Sequence, residues 1–66
     1  MKLRVNGEAH DFEESNNLLD LIRSLGLENL RFAVAINRNV IPRSEIARTT
    51  LHENDEVEIV QAVGGG

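Results

Sequence analysis

Hydrophobic and polar residues alternate near the start of the chain, and this pattern predicts a β-hairpin. In the stretch KLRVN, Leu3 and Val5 share one face and the polar residues share the other, which is typical of a half-buried strand. The pair Asn6-Gly7 follows, and it supplies the positive φ angles that a type I′ turn requires. We therefore expect EAHDF, residues 8–12, to return as a second strand, although its alternation is less regular.

The next stretch, SNNLLDLIRSLGL, changes to a helical period. Its apolar residues at helical spacing are Leu18, Leu19, Ile22 and Leu25. Ser15, Asn16 and Asn17 offer side-chain oxygens for the unpaired amides of a helix N-terminus. Gly26 suits the left-handed residue that follows a helix, and Leu27 suits the hydrophobic contact beyond it. The pattern predicts a helix from about Asn16 to Leu25.

Alternation returns in RFAVAIN, residues 31–37, and predicts a third strand. One face holds Phe32, Val34 and Ile36, and the other holds Ala33, Ala35 and Asn37. We expect a turn at residues 37–39 and a short strand at Val40-Ile41, which Pro42 ends because proline cannot donate to a ladder. The stretch SEIARTT then predicts one helical turn, with Ser44 as its cap and Ile46 reaching the core.

The stretch EVEIVQAV, residues 56–63, alternates again and predicts the last strand, after a polar turn at residues 53–56. Val57 and Ile59 face the core in this interpretation, whereas Glu56 and Glu58 face solvent. The two glutamates therefore indicate a solvated strand face, and nothing in the pattern favours acid–base chemistry by the pair.

The same alternation places two apolar residues on the solvent-facing side of the last strand. Val60 and Ala62 fall on the face of the glutamates, and Ala33 and Ala35 fall on the outer face of the third strand. If the two strands are neighbours, these residues form a small apolar patch, and contiguous apolar surface often marks a docking site. We predict that Val60, Ala62 and Ala35 contact a partner.

The order of elements predicts an α+β fold of the β-grasp (ubiquitin-like) type. A hairpin, one main helix and three later strands suit a mixed four- to five-stranded sheet with the helix covering one face. The last strand is expected near the sheet centre, parallel to the first. Residues 1–63 would form this domain, and the glycines at 64–66 would form a flexible tail.

Size and charge narrow the function classes. The 66 residues suffice for one domain, and the absence of cysteine excludes disulfides, cysteine-based zinc sites and a catalytic thiol. A net charge of −4 argues against nucleic acid and permits docking to a basic face on a partner protein. No apolar run approaches the length of a membrane span, so we expect no membrane contact and a cytoplasmic location.

Few residues suit catalysis. His10 and His52 lie near single carboxylates, whereas a metal site needs at least three converging ligands, so solvated surface histidines and no metal are expected. The serines have no partnered base in the sequence, and no glycine-rich phosphate loop precedes a helix. We therefore expect no catalytic residue in this chain.

The three glycines that end the sequence, Gly64 to Gly66, admit two interpretations. Without Cβ atoms they can enter a narrow tunnel and leave a terminal carboxylate open to attack. Such a carboxylate is a poor electrophile and needs activation, most simply as an acyl-adenylate made from ATP. The alternative is that the glycines are a disordered end without a role.

Several stretches together resemble the ThiS family of thiamin-biosynthesis sulfur carriers. They are VNGE, LLDLIRSLGL and the run VAINRNVIPRSEIARTTLHENDEVEIVQAVGGG, and they cover nearly the whole chain. Gly65 and Gly66 match the diglycine of that family, and Gly64 fits a common variant.

The resemblance implies that the chain is a carrier and co-substrate, not an enzyme. A ThiF-type adenylating enzyme would adenylate the carboxylate of Gly66, and sulfur from a cysteine desulfurase persulfide would convert it to a thiocarboxylate. Thiazole synthase would then receive that sulfur. The carrier would bind no cofactor stably, because the ATP is used by the partner enzyme.

Three other functions remain open from the sequence. The small subunit of molybdopterin synthase shares the fold and the diglycine end, although this chain is short and poor in phenylalanine for that group. A ubiquitin-like protein modifier would instead join Gly66 to a lysine. A plain β-grasp interaction module with an inert tail is the third alternative.

Overall fold

Five strands and two helices make up the part of the chain that the computed structural model describes, residues 1–61. In chain order they are β1 (Lys2–Val5), β2 (Glu8–Asp11), α1 (Leu18–Ser24), β3 (Phe32–Ile36), β4 (Asn39–Ile41), α2 (Arg43–Ile46) and β5 (Glu56–Gln61). The predictions for Ala62 and for the glycines at 64–66 lie outside the described residues. Within residues 1–61, neither helix is long and apolar enough to cross a membrane.

The strands form one mixed sheet in the order β2-β1-β5-β3-β4. The last strand lies at the centre, parallel to β1 and antiparallel to β3. Val5 pairs with Val57 across the parallel ladder, and Ile36 pairs with Val57 across the antiparallel one. This is the β-grasp arrangement, so the predicted fold, the central position of the last strand and its direction relative to β1 are confirmed.

Both hairpins close through two-residue turns with positive φ angles. Asn6 and Gly7 have φ values of 53° and 84°, as a type I′ turn requires. Asn37 and Arg38 repeat this geometry at 50° and 71°, although neither is glycine. The turn predicted at residues 37–39 is therefore one residue shorter than expected, because Asn39 already pairs with Ile36 in β4.

Helix α1 is shorter than predicted because residues assigned to it serve as its caps. Asn17 is the N-cap with extended backbone, and its Oδ1 accepts hydrogen bonds from the amides of Leu19 and Asp20 at 2.9 and 3.3 Å. Leu25 is the C-cap. Beyond it, Gly26 has a φ of 75°, which confirms the predicted left-handed residue after the helix.

The predicted helical turn after Pro42 forms as α2, but Ser44 does not cap it. Pro42 occupies the N-cap position with a ψ of 150°, and no side-chain hydrogen bond caps this helix. Ser44 fails as a cap because it lies inside the helix, one residue after Arg43. Ile46 is buried as expected and joins the core.

The core fills the space between α1 and one face of the sheet. Its buried residues come from α1, the strands, α2 and the segments between them, and they are Leu3, Phe12, Leu18, Leu21, Ile22, Val34, Ile36, Ile46, Leu51, Val57 and Ile59. Burial of these side chains supplies the main favourable term in folding, since each stabilises the native state by about 1.5–3 kcal/mol. One face of the sheet is therefore buried by the core, and no helix within residues 1–61 covers the opposite face.

Candidate functional site

The uncovered face of the sheet carries an apolar patch across β4, β3 and β5. Ala33 lies opposite Val60 in the β3–β5 ladder, and Ala35 lies opposite Val40 in the β3–β4 ladder. Residues directly opposite each other point to the same face of a sheet, so these four share one surface. We refer to Ala33, Ala35, Val40 and Val60 as the outer patch.

The two valines dominate the exposed apolar area of the outer patch. Val40 is 74% exposed and Val60 is 66% exposed, whereas Val57 and Ile59 on the same stretch of chain are buried. Exposed valines flank small alanines at the centre, and the result is a shallow depression of about 150 Å³. An apolar side chain from another molecule would fit this shape and remove the valines from water.

Charged residues border the outer patch at two places. Glu58 lies beside Ala35 across the β3–β5 ladder and lines the same depression as the valines. Arg31 and Arg43 line a second, wider depression of about 610 Å³, which shares Ala33 and Val60 with the first. The patch therefore has an acidic border on one side and a basic border on the other.

The strand that leads toward the glycines is held in place by the asparagines of the two hairpin turns. Asn6 Oδ1 accepts a hydrogen bond from the amide of Ile59 at 2.8 Å, and Asn37 Oδ1 accepts one from the amide of Glu56 at 3.1 Å. Since β1 ends at Val5, the Asn6 side chain continues the ladder where the backbone turns away. These contacts hold β5 in register between β1 and β3.

A buried carboxylate supports the start of β5. Asp55 is 8% exposed and accepts hydrogen bonds from Asn37 Nδ2 at 3.0 Å and from the amide of His52 at 2.9 Å. A buried carboxylate is tolerated when its oxygens have such donors. The sequence pattern gave Asp55 only as part of a polar turn and did not distinguish it from its exposed neighbours Glu53 and Asn54.

The two histidines lie apart from the outer patch. His10 is half-buried in β2, opposite Leu3, and His52 is exposed with its Nδ1 atom 3.9 Å from Asp55 Oδ2. In the described part of the chain no three histidine or acidic side chains converge as a metal site would require.

The structure brings together two of the three residues predicted to contact a partner. Val60 and Ala35 share the outer face, as their alternation indicated, and the predicted neighbouring of β3 and β5 is confirmed. Val40 belongs to the same surface but was absent from the prediction. The sequence could have indicated Val40, because a two-residue turn at residues 37–38 pairs it with Ala35 and so places both on the same face. Ala62, Gly64, Gly65 and Gly66 lie outside the described residues.

A solved structure and a curated protein resemble this chain over its whole length. A crystal structure of the thiamine biosynthesis protein ThiS from Geobacter metallireducens superimposes with a TM-score of 0.83, is 32% identical and covers both chains completely. The sulfur carrier protein ThiS of Escherichia coli is 24% identical over the full length of both chains.

A longer relative matches along part of its length. A thiazole synthase of Paramagnetospirillum magneticum is 36% identical over 66 residues, which are the whole of this chain and 20% of that protein. The sequence model of the ThiS family itself matches residues 3–66, through the last strand and the glycines. The chain therefore belongs to the ThiS family.

Proposed function

We propose that this chain is the sulfur carrier of thiamin biosynthesis, with the carboxylate of Gly66 as the position that bears sulfur. The observation that carries the proposal is the family match over residues 3–66, because it includes both the folded domain and the glycines. The relative named thiazole synthase favours the thiazole branch over the molybdopterin and protein-modifier alternatives.

The proposed chemistry makes the chain a co-substrate and assigns catalysis to its partners. An oxygen of the Gly66 carboxylate attacks the α-phosphorus of ATP on a ThiF-type adenylating enzyme, and pyrophosphate leaves. A persulfide linked to a cysteine desulfurase then attacks the acyl carbon, and AMP leaves. Reduction of the resulting acyl disulfide by a thiol releases the thiocarboxylate, from which thiazole synthase takes sulfur.

In this role, the residues of the chain present the terminal carboxylate to the partner enzymes. Glycine at positions 64–66 places no Cβ atom near the reacting carbon, so a partner can enclose the tail in a narrow channel. The domain binds no cofactor stably in this proposal, since the nucleotide belongs to the partner. Because the reaction uses ATP and biosynthetic enzymes, we place the chain in the cytoplasm.

Docking is assigned to the outer face of the sheet. Val60 and Ala35 provide apolar contact area in the described residues, and Ala62 would extend it toward the tail. A patch of this kind suits successive partners, because its small area permits release after each step.

Intact-mass spectrometry tests the proposed function directly. The chain is incubated with a ThiF-type adenylating enzyme, ATP, a cysteine desulfurase with cysteine, and a thiol reductant, and a matched reaction omits ATP. We expect the mass to rise by the difference between sulfur and oxygen in the complete reaction only. An unchanged mass contradicts the proposal if the same enzyme loads another ThiS chain with sulfur. High-mass conjugates of the chain in cell extract favour the protein-modifier alternative.

A further inference from the structure

The first hairpin turn contains the only asparagine of the sequence that is followed by glycine. Asn6 and Gly7 form this turn with positive φ angles, and the carrier chemistry uses neither residue. An asparagine before glycine is also a reactive pair. The backbone nitrogen of the glycine can attack the side-chain carbonyl carbon of the asparagine, since glycine has no Cβ atom to hinder the approach. The turn therefore holds a nucleophile and an electrophile in adjacent residues.

Both reacting groups are open to solvent. Asn6 and Gly7 are exposed, and a Cβ atom placed on Gly7 would meet no heavy atom within 4 Å apart from its chain neighbours. The amide of Gly7 donates a hydrogen bond to no other group within residues 1–61. Water can therefore take the proton of this amide, and water can also reach the product of the attack.

The closed turn restrains the side chain of Asn6 through the central strand. Its Oδ1 atom accepts a hydrogen bond from the amide of Ile59 at 2.8 Å, and its backbone amide donates to the carbonyl of Val57 at 2.8 Å. Attack makes Cγ of Asn6 tetrahedral and swings the side chain over the backbone of Gly7, which the bond to Ile59 opposes. The reaction therefore requires local opening of the turn, which costs less free energy than global unfolding.

We propose that Asn6 is a site of spontaneous covalent modification, at which opening of the turn leads to aspartate and isoaspartate. The nitrogen of Gly7 bonds to Cγ of Asn6 and loses its proton, and the side-chain nitrogen leaves as ammonia, which closes a cyclic imide. Water then opens the imide. Cleavage at Cγ yields aspartate, whereas cleavage at the backbone carbonyl carbon yields isoaspartate, in which the main chain runs through Cγ. Water is the only co-reactant, and no electrons are transferred.

The two products affect β5 differently. Aspartate keeps a side-chain oxygen at the same position, so it still accepts from Ile59. Isoaspartate lengthens the main chain of the turn by one carbon and carries its carboxylate directly on Cα. The acceptor for Ile59 is then displaced, and the two-residue turn no longer matches the strands. Conversion to isoaspartate therefore loosens the strand that precedes the glycines.

A second turn of the same chain provides a matched control. Asn37 has a φ of 50°, close to the 53° of Asn6, and its Oδ1 also accepts from a β5 amide, but Arg38 follows it and carries a Cβ atom. The chain is incubated at mildly alkaline pH, folded or in urea, and peptide mapping by mass spectrometry gives the converted fraction at both positions. An isoaspartate-specific methyltransferase labels the isoaspartate.

We expect Asn6 of the folded chain to convert at least about tenfold faster than Asn37, because the side chain of Arg38 hinders attack. Conversion of Asn6 should be about two- to tenfold slower in the folded chain than in urea, since one hydrogen bond must break first. Equal conversion of Asn6 and Asn37, or an Asn6 that stays intact in the folded chain, overturns the proposal. Equal rates with and without urea overturn the dependence on opening of the turn.

The variant Arg38→Gly tests the role of the following residue. Glycine adopts the φ of 71° without strain, so this variant should convert residue 37 at a rate close to that of Asn6. An unchanged Asn37 in the folded variant contradicts the assignment of reactivity to the turn.

Urea titration of the separated products tests the effect on β5. Ion exchange isolates the converted chains, because each product adds a negative charge to a chain of net charge −4. The isoaspartate chain should unfold at a lower urea concentration than both the fresh chain and the variant Asn6→Asp. Identical midpoints overturn the effect on β5. None of these measurements involves a partner enzyme, so their failure leaves the proposed function untouched.

Discussion

Val60 is a residue of β5 whose side chain lies on the exposed face of the sheet and not in the core. Its side chain is 66% exposed, although its neighbour Ile59 is 7% exposed and its partner across the ladder is Ala33. Exposure of an isolated valine needs no explanation, but this valine extends an apolar surface through Ala33 and Val40. The residue therefore contributes little to folding and much to the surface that a partner can cover.

We predict that Val60→Asp weakens partner docking while leaving stability within about 0.5 kcal/mol of the wild type. A charge on the outer patch must be desolvated when a partner covers it, but solvent already surrounds it in the free chain. Loss of adenylation rate and the free energy of unfolding in urea are the two measurements. Val57→Asp is the contrasting variant, because its site is 1% exposed and a charge there should unfold the domain. An unfolded Val60→Asp chain would contradict the assignment of Val60 to the surface.

Among the elements, β5 is the central strand, and both hairpins of the sheet hold it in place. It pairs with β1 on one side and β3 on the other, and asparagines from both hairpin turns add hydrogen bonds to its backbone. A turn whose only role was to reverse the chain would not need a side chain that accepts a hydrogen bond from β5. Asn6 and Asn37 therefore combine two tasks, tolerance of positive φ and completion of the β5 ladder.

We predict that Asn6→Gly lowers the free energy of unfolding by about 1–3 kcal/mol, because the partly buried amide of Ile59 loses its acceptor. Glycine adopts the φ of 53° without strain, so the loss reports the hydrogen bond and the added entropy of the unfolded chain. Asn6→Asp keeps an acceptor oxygen and is expected to remain closer to the wild type in urea titrations. Equal losses in the two variants would show that the Ile59 contact contributes nothing.

The strands were predictable because their signals are local. Alternation at Leu3 and Val5 and the pair Asn6-Gly7 specify a hairpin from neighbouring residues alone, and the alternation of residues 56–61 specifies which face of β5 is buried. The β3 and β5 residues of the outer patch, Ala33, Ala35 and Val60, followed from the same alternation once the two strands were assumed to be neighbours, whereas Val40 of β4 was not predicted.

The remaining features depend on contacts between distant parts of the chain. Asp55 is buried because Asn37, 18 residues earlier, donates to it, and nothing near Asp55 in the sequence indicates this. Ser44 was wrong as a cap because the backbone of Pro42 starts α2 without a side-chain acceptor. The pairing of Arg31 and Arg43 beside Val60 likewise arises from the packing of separate segments.

At the scale of the whole molecule, folding and chemistry are assigned to different parts of the chain. The buried core, the five-stranded sheet and the hydrogen bonds to β5 all lie within residues 1–61. The proposed reacting carbon lies at Gly66, several residues beyond them. This separation lets a partner act on the end of the chain without disturbing the domain that it binds.

Deletion of Gly66 should therefore abolish sulfur loading and leave the fold unchanged. The new terminal residue, Gly65, ends one residue short, about 3.3–3.6 Å from the position at which the partner activates the carboxylate. Such a displacement is large compared with the tolerance of a reaction that requires aligned atoms. The free energy of unfolding should stay within about 0.5 kcal/mol, because no core residue is removed. Intact-mass measurement after the loading reaction and urea titration of both chains provide the comparison. Full loading of the shortened chain would contradict the assignment of Gly66, and a large loss of stability would show that the end of the chain belongs to the folded domain.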